Sequence, residues 1–288
     1  RKKRTQVTSF LTAADASVIG LDKKIKVYSG DPMAFIINSG SGNRVNVSQE
    51  IDRVSDYRKP HHISQVNVTE TDGKRYVYGI PVYNTVQKDF SFTVEDPCAA
   101  CETVTYNPAT ETSLSAGVNP HLDGGVGGKD GYVQITETPP YAHSFLLSGL
   151  LSPDYVDVTG NGITEDDLGG AVKFNYTMTG THKWRTPLDN GNIANSNPGN
   201  LSERRDDKAI IAYGERESWY LQSVESKTMI AFFTLDNRND GKGVSSEFSN
   251  VNYGETTLKR LKRIDLYNKA DLVKNGLAGA KPVKSVHF

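Results

Sequence analysis

The sequence has few cysteines, no long apolar run and no excess of charge of either sign. Its 288 residues include 2 cysteines and carry a formal net charge of −1. Two cysteines cannot frame a disulfide-stapled domain, and balanced charge offers no basic face to nucleic acid. No apolar run approaches the ~20 residues that a membrane-spanning helix needs. We therefore expect no nucleic-acid partner and no membrane span.

Recognised catalytic motifs are also missing. The sequence has no G-x-S-x-G, no H-E-x-x-H, no phosphate-binding loop ending in G-K-[ST] and no dinucleotide fingerprint. The adjacent Asp166 and Asp167 cannot flank a cleft as paired glycosidase carboxylates do. We therefore predict that the chain is not an enzyme. The hydrolase alternative would require a cleft with convergent carboxylates of perturbed pKa.

The two cysteines, Cys98 and Cys101, stand close together in the segment DPCAACET. A structural zinc site needs about four ligands, and no second cysteine pair or nearby histidine supplies them. A short-range disulfide and two free thiols are the alternatives that the sequence leaves open.

Strand-like alternation dominates the rest of the chain. Val, Ile, Tyr, Phe and Thr recur at every second position, as a half-buried pleated surface prefers. The clearest hairpin runs from Ile63 to Tyr78 around a predicted two-residue turn, Asp72-Gly73. A second, long hairpin is predicted over 214–244, closed by an Asn/Asp/Gly-rich turn. We predict a mainly β fold, antiparallel and β-rich, with sandwich-like or shell- and propeller-like sheets, a few short helices and long loops.

Helical character is confined to two short segments, 8–21 and 142–151, and segment 269–279 is a third turn or a loop. A loop rich in Gly and Pro suggests a division into an N-terminal β unit (1–95), a Gly/Pro/Cys-containing loop or linker (96–131) and a second β-rich unit (132–288). One continuous domain is the alternative. The first residues, RKKR, include no Met, and we expect a fragment of a longer polypeptide.

An acidic loop, defined here as residues 152–170 (SPDYVDVTGNGITEDDLGG), carries the most ordered polar pattern. Calcium loops present oxygen ligands at alternate positions, with glycine at the sixth. Counting from Asp157, Gly162 is sixth, and Leu168 stands where a bidentate Glu would be twelfth. The predicted calcium ligands are Asp157, Thr159, Asn161, Ile163 through its carbonyl, and Glu165.

The acidic loop has a second interpretation that needs no metal. Gly160-Asn161-Gly162 is typical of a turn. Thr164 followed by Asp167 resembles the capping box of a helix, and acidic residues suit a first helical turn. Calcium and a turn followed by a capped helix both stay open.

Aromatic and histidine residues give weaker indications. Trp184 and Trp219, beside Arg185, Glu217 and Tyr220, would suit a sugar-stacking platform. They would equally suit the core, with the polar edge of each ring bonded to a partner. The pair His61-His62 lacks sequence neighbours to complete a metal site, and we expect surface or interface histidines.

Several segments together resemble a protein family: DGKRYVYGIPVYN, LLSPDYVDVTGNGITEDDLGGAVKFNYT, KWRTP, DDKAIIAYGERESWYLQSVESKTMIAFFTLDNRNDGKGV and LKRIDLYNKADL. They are similar to very large surface-exposed proteins of Bacteroidota related to the RHS/YD-repeat and insecticidal-toxin B-type shells. The resemblance extends from about Lys23 to the end. It implies a secreted or cell-surface protein, exported by the type IX system, whose β-rich body carries a variable effector. The acidic loop is similar to the calcium loops of the FG-GAP/VCBS repeats that accompany such shells.

This resemblance leads to two functional expectations. The first is a structural scaffold that forms part of a β-rich shell, with other segments of the same long polypeptide as partners. The second is a carbohydrate-binding or adhesin module that uses Trp184, Trp219 and the long loops to bind a surface glycan. The secretion machinery is a further expected partner.

Overall fold

A computed structural model describes residues 5–30, 47–93, 103–105, 133–186, 193–195, 208–245, 247, 254 and 256–288. Cys98 and Cys101 lie outside the described residues. Within them, the chain is mainly antiparallel β, and this prediction is confirmed. No helix in this part of the chain is long and apolar enough to cross a membrane.

The described residues form fourteen strands and two helices. The strands are β1 (Val7–Thr12), β2 (Ile25–Tyr28), β3 (Val47–Ile51), β4 (Ile63–Thr69), β5 (Arg75–Thr93), β6 (Thr103–Thr105), β7 (Val133–Thr138), β8 (Tyr141–Leu151), β9 (Ala171–Arg185), β10 (Ile193–Asn195), β11 (Lys208–Glu225), β12 (Met229–Lys242), β13 (Thr257–Asn268) and β14 (Lys284–His287). The helices are α1 (Ala13–Ile19) and α2 (Lys269–Gly279). Ten of the strands form one sheet.

The sheet contains a closed circuit of four strands. The first part of β5 pairs with β8, the end of β8 with β9, and β9 with β11 along most of its length. The first half of β11 then returns to the second half of β5. Register shifts in β5 and β11 mark bulges, which bend and twist a strand. Long, bulged strands therefore let the sheet fold back on itself.

The circuit contains strands from both proposed units, because β5 precedes the predicted linker and β8, β9 and β11 follow it. The sheet thus continues across the proposed division, which stays a prediction. Buried apolar side chains pack around it in two clusters. One is Val77, Leu151 and Tyr155, and the other is Ile230, Phe232 and Leu272.

The predicted β4–β5 hairpin forms, with a different turn. The amide of Glu70 donates to the carbonyl of Lys74 over 2.8 Å, which leaves three residues in the loop instead of two. Gly73 takes the left-handed conformation, with φ +91°, that glycine adopts readily.

Three other predictions of local structure are wrong. Segment 142–151 belongs to strand β8 and is not a helix, because its short apolar run fits a strand paired on both sides equally well. No helix follows Thr164; residues 164–168 form a turn and a bridge. The β11–β12 hairpin turns at Ser226–Met229, whose backbone bond is 2.9 Å long, and the Asn/Asp/Gly-rich segment lies at the end of β12.

Candidate functional site

The acidic loop forms one wall of a cavity of about 610 Å³. The other walls come from β2, β9, the end of β11 and the first residue of α2. The loop is closed at its base, where the amide of Ser152 donates to the carbonyl of Gly170 over 2.8 Å. A two-residue bridge between Val156 and Leu168 holds its two arms together.

Asp167 is the internal anchor of the acidic loop. Its side chain is buried, and its carboxylate accepts three hydrogen bonds. The donors are the Tyr155 hydroxyl at 2.8 Å, the Val158 amide at 3.1 Å and the Thr164 amide at 2.8 Å. Thr164 and Asp167, the pair that resembles a helix-capping box in the sequence, therefore stabilise an irregular loop and not a helix.

The predicted calcium ligands are divided between the loop interior and the cavity. Asp157 turns inward, and its two oxygens accept from the amides of Gly160 at 2.7 Å and Gly162 at 3.1 Å. Thr159 is exposed. Ile163 packs its side chain against the core cluster around Tyr155.

The remaining two predicted ligands, Asn161 and Glu165, line the cavity, as Ile163 also does. The Asn161 side-chain oxygen accepts from the Thr164 hydroxyl at 3.3 Å, and its carbonyl accepts from Lys26 Nζ at 3.4 Å. Glu165 pairs with Lys269 Nζ at 3.4 Å. Among the described residues, no group of three or more His, Cys, Asp or Glu is placed to hold a metal. The predicted calcium site is of a different kind, because most of its ligands would be a Thr hydroxyl, an Asn side-chain oxygen and a backbone carbonyl. Calcium binding therefore stays a prediction.

The wall opposite the acidic loop carries a buried lysine between two carboxylates. The Lys269 side chain is 7% exposed, and its Nζ lies 3.1 Å from Glu225 and 3.4 Å from Glu165. Glu225 also accepts a hydrogen bond from the side-chain amide of Asn175. The pairing ties α2 to β11 and to the acidic loop.

Two further lysines on the cavity wall have no carboxylate partner among the described residues. Lys173 Nζ lies 5.7 Å from the ring centroid of Tyr28, a cation–π contact. Lys227 Nζ donates to the Asp167 carbonyl at 3.0 Å. Burial raises the pKa of Tyr28, so this ring stays a neutral phenol.

A smaller cavity, of about 20 Å³, shares Lys26, Tyr28 and Lys173 with the large one. It is also lined by Arg53, whose guanidinium donates to the Asp22 carbonyl at 2.8 Å and to Ser64. Burial lowers the pKa of Arg53 to about 10. The wall formed by Lys173 and Tyr28 is therefore polar on its far side as well.

Comparison with known proteins finds no matching family model, no matching curated protein and no matching solved structure. The resemblance to RHS/YD-repeat shells therefore stays a prediction. The cavity and its lining must be interpreted from their own chemistry.

The two tryptophans are part of the packed sheet. Trp219 Nε1 donates to Glu217 at 3.1 Å, so its polar edge has the kind of core partner that the sequence suggested. The Trp184 ring covers Gly214, where an added Cβ would lie 2.6 Å from ring atoms. Both side chains are half-buried. Neither contributes to the large cavity.

The histidines are separated in the structure. His62 Nδ1 lies 3.0 Å from the Tyr83 hydroxyl, and its ring contacts that of His61 edge-on. Burial lowers the pKa of His62, and also those of His143 and His182. Within the described ranges, none of them belongs to a group of three or more His, Cys, Asp or Glu that could hold a metal.

Sequence reasoning identified the acidic wall of the cavity and missed the basic one. Lys173, Lys227 and Lys269 come from β9, from the β11–β12 turn and from the start of α2. No motif spacing connects them. Their only local signal is that Lys269 immediately follows a helix-capping residue, Asn268, whose side chain accepts from the Ala270 amide.

Proposed function

We propose that this chain is a structural segment of a very large secreted RHS-like surface or toxin protein, in which it forms part of a β-rich shell. The observation that carries the proposal is the state of the two outermost strands. Among the described strands, β1 pairs only with β4, and β14 pairs only with β13. Each end of the strand order of the ten-stranded sheet is therefore an open edge among the described strands, and β7, off this order, pairs only with β5.

Both open edges carry exposed apolar side chains. Val7 and Phe10 on β1 are each 58% exposed, and beside β14 Phe288 is 72% exposed. Soluble proteins usually protect edge strands with charge, proline or a covering element, because unpaired amides and carbonyls are a template for further strands. Edges of this kind suit a sheet that continues into neighbouring segments of the same polypeptide.

A scaffold must also be rigid, and the buried polar contacts support this. Arg58 and Glu217 form an ion pair that ties the segment before β4 to β11. Arg53 ties the same segment to the carbonyls of Asp22 and Ser64. With the closed circuit of strands, these contacts hold loops and sheet in one arrangement.

The experiment is sedimentation velocity on the purified chain over a concentration series up to about 100 µM, where exposed strand edges associate. We expect reversible association that Phe10→Lys reduces, because a charge on the edge strand opposes pairing. The matched control is Val18→Lys, a similarly exposed apolar position that lies on helix α1 and not on a strand. A chain that stays monomeric throughout, or that responds equally to both substitutions, contradicts the proposal.

A further inference from the structure

The large cavity is built to bind a ligand, independently of any scaffold role. Its volume of about 610 Å³ lies within the range of about 300–1,000 Å³ typical of small-molecule sites. Ile163 and Ala171 give it an apolar part, and Tyr28 and Tyr155 line it as buried rings. Around them stand charged groups of both signs. The balance of these charges decides the ligand class.

Most charges on the cavity wall are already neutralised. Lys269 lies between Glu165 and Glu225, and Lys26 lies 3.6 Å from Asp22. Asp167 is saturated by its three hydrogen bonds inside the acidic loop. These groups build the wall and have little capacity left for a ligand.

Lys173 is the first cation that remains available. Glu225 is its cross-strand neighbour in the β9–β11 register, but the Glu225 carboxylate bonds to Lys269 and Asn175 instead. Among the described residues, the Lys173 ammonium contacts only the face of the Tyr28 ring. Within the described ranges, all three of its N–H donors are therefore free for a ligand.

Lys227 is the second available cation. Its Nζ donates one hydrogen bond to the Asp167 carbonyl and has no carboxylate partner in the described part of the chain. Charge-assisted hydrogen bonds to a carboxylate are about twice as strong as neutral ones. The two lysines that line the cavity thus favour a ligand that carries a carboxylate.

The acidic loop and the β11–β12 turn add groups that favour hydroxyls on the same ligand. Asp166 is exposed, lines the cavity and retains acceptor capacity beyond its bond from the Thr164 hydroxyl. The Thr164 and Ser226 hydroxyls also line the cavity. A simple polyanion would be repelled by Asp166, whereas a sugar acid places a hydroxyl donor against it. We propose that the cavity binds a monocarboxylate sugar of the uronic-acid class, with Lys173 and Lys227 holding the carboxylate.

The test is a titration of the ¹⁵N-labelled chain by NMR with D-glucuronate and, in parallel, with D-glucose. The two differ only in the carboxylate at C6, so glucose isolates its contribution. We expect glucuronate to bind with a Kd of about 1 mM, as its small size allows, and glucose to cause no saturable shifts. Absence of saturable shifts with glucuronate, or equal binding of glucose, would overturn the proposal.

The lysine variants test the assignment itself. Lys173→Gln and Lys227→Gln should each weaken glucuronate binding about tenfold. Lys74→Gln, an exposed lysine on the β4–β5 turn paired with Asp72, is the control and should bind normally. Matching melting temperatures establish that each variant is folded. Unchanged affinity in both cavity variants would overturn the assignment. Tighter binding of inorganic phosphate than of glucuronate would overturn the ligand class.

Discussion

Arg58 and Glu217, 159 residues apart in the sequence, form an ion pair with both side chains buried. Glu217 also accepts from the Tyr57 hydroxyl at 2.8 Å and from the Tyr83 amide at 3.2 Å. Arg58 donates to the Pro81 carbonyl at 3.1 Å, and its guanidinium lies 4.7 Å from the Tyr83 ring centroid. The pair joins the segment before β4 to the centre of the closed circuit.

Glu217→Gln should destabilise the fold strongly. The substitution leaves the Arg58 charge buried without a counterion, and loss of one partner from such a pair costs about 3–5 kcal/mol. The free energy of unfolding from urea titrations measures the loss. Asp240→Asn, which removes a carboxylate from the exposed Arg238–Asp240 pair, should have little effect. The double variant Arg58→Met/Glu217→Met should be more stable than Glu217→Gln alone, because no charge is then left unpaired.

Alternation of apolar residues predicted the β class and the β4–β5 hairpin, because both depend on neighbours in sequence. Long-range pairs are different. Nothing near Arg58 indicates that Glu217 is its partner, since their contact depends on how β5 and β11 pair. The segment 142–151 was misassigned for a related reason. Its apolar run is compatible with a helix or a strand, and only pairing with β5 and β9 decides between them.

For the same reason, the sequence predicts the acidic wall of the candidate site but not its basic wall. Its acidic wall is one continuous loop, whose acids stand together in the sequence. Its basic wall is assembled from Lys173, Lys227 and Lys269, which meet only in the folded chain. The inward turn of Asp157 was also hidden, because the same spacing serves metal coordination and a turn that bonds its own amides.

Asp167 and Asp166 are adjacent, but the same substitution should destabilise the fold at Asp167 and have little effect at Asp166. Asp167→Asn removes an ionised acceptor from three buried or half-buried donors and should cost about 3 kcal/mol of unfolding free energy. Asp166→Asn should change stability little, because this side chain is exposed. The Thr164 hydroxyl bond holds the pKa of Asp166 below its usual value. Urea titrations of both variants at pH 7 make the comparison, and equal losses would contradict it.

Asp157→Ala tests the two interpretations of the acidic loop. We expect a loss of about 1–2 kcal/mol in calcium and in chelator alike, because the amides of Gly160 and Gly162 lose their acceptor in both. Melting curves of wild type and variant under the two conditions measure it. A ligand that binds only the native state raises its stability. A calcium-dependent rise of the wild-type melting temperature that Asp157→Ala abolishes would therefore establish the predicted calcium loop.

His182 should make stability fall as the solution becomes acidic. Burial first, and Arg216 second, lower the pKa of its imidazole, and within the described structure its Nδ1 makes no hydrogen bond. In the unfolded chain the His182 imidazole has a pKa of about 6.5, so it binds a proton more readily than it does in the folded chain. This contribution to stability is complete above that pH and is lost as the pH falls from about 6.5 towards the folded-state value. His182→Gln should therefore flatten the decline in urea midpoint between pH 7.5 and 5. His62 and His143 shift in the same direction and stay in the variant, so part of the decline should persist. Parallel curves for wild type and variant would show that folding does not lower the pKa of His182.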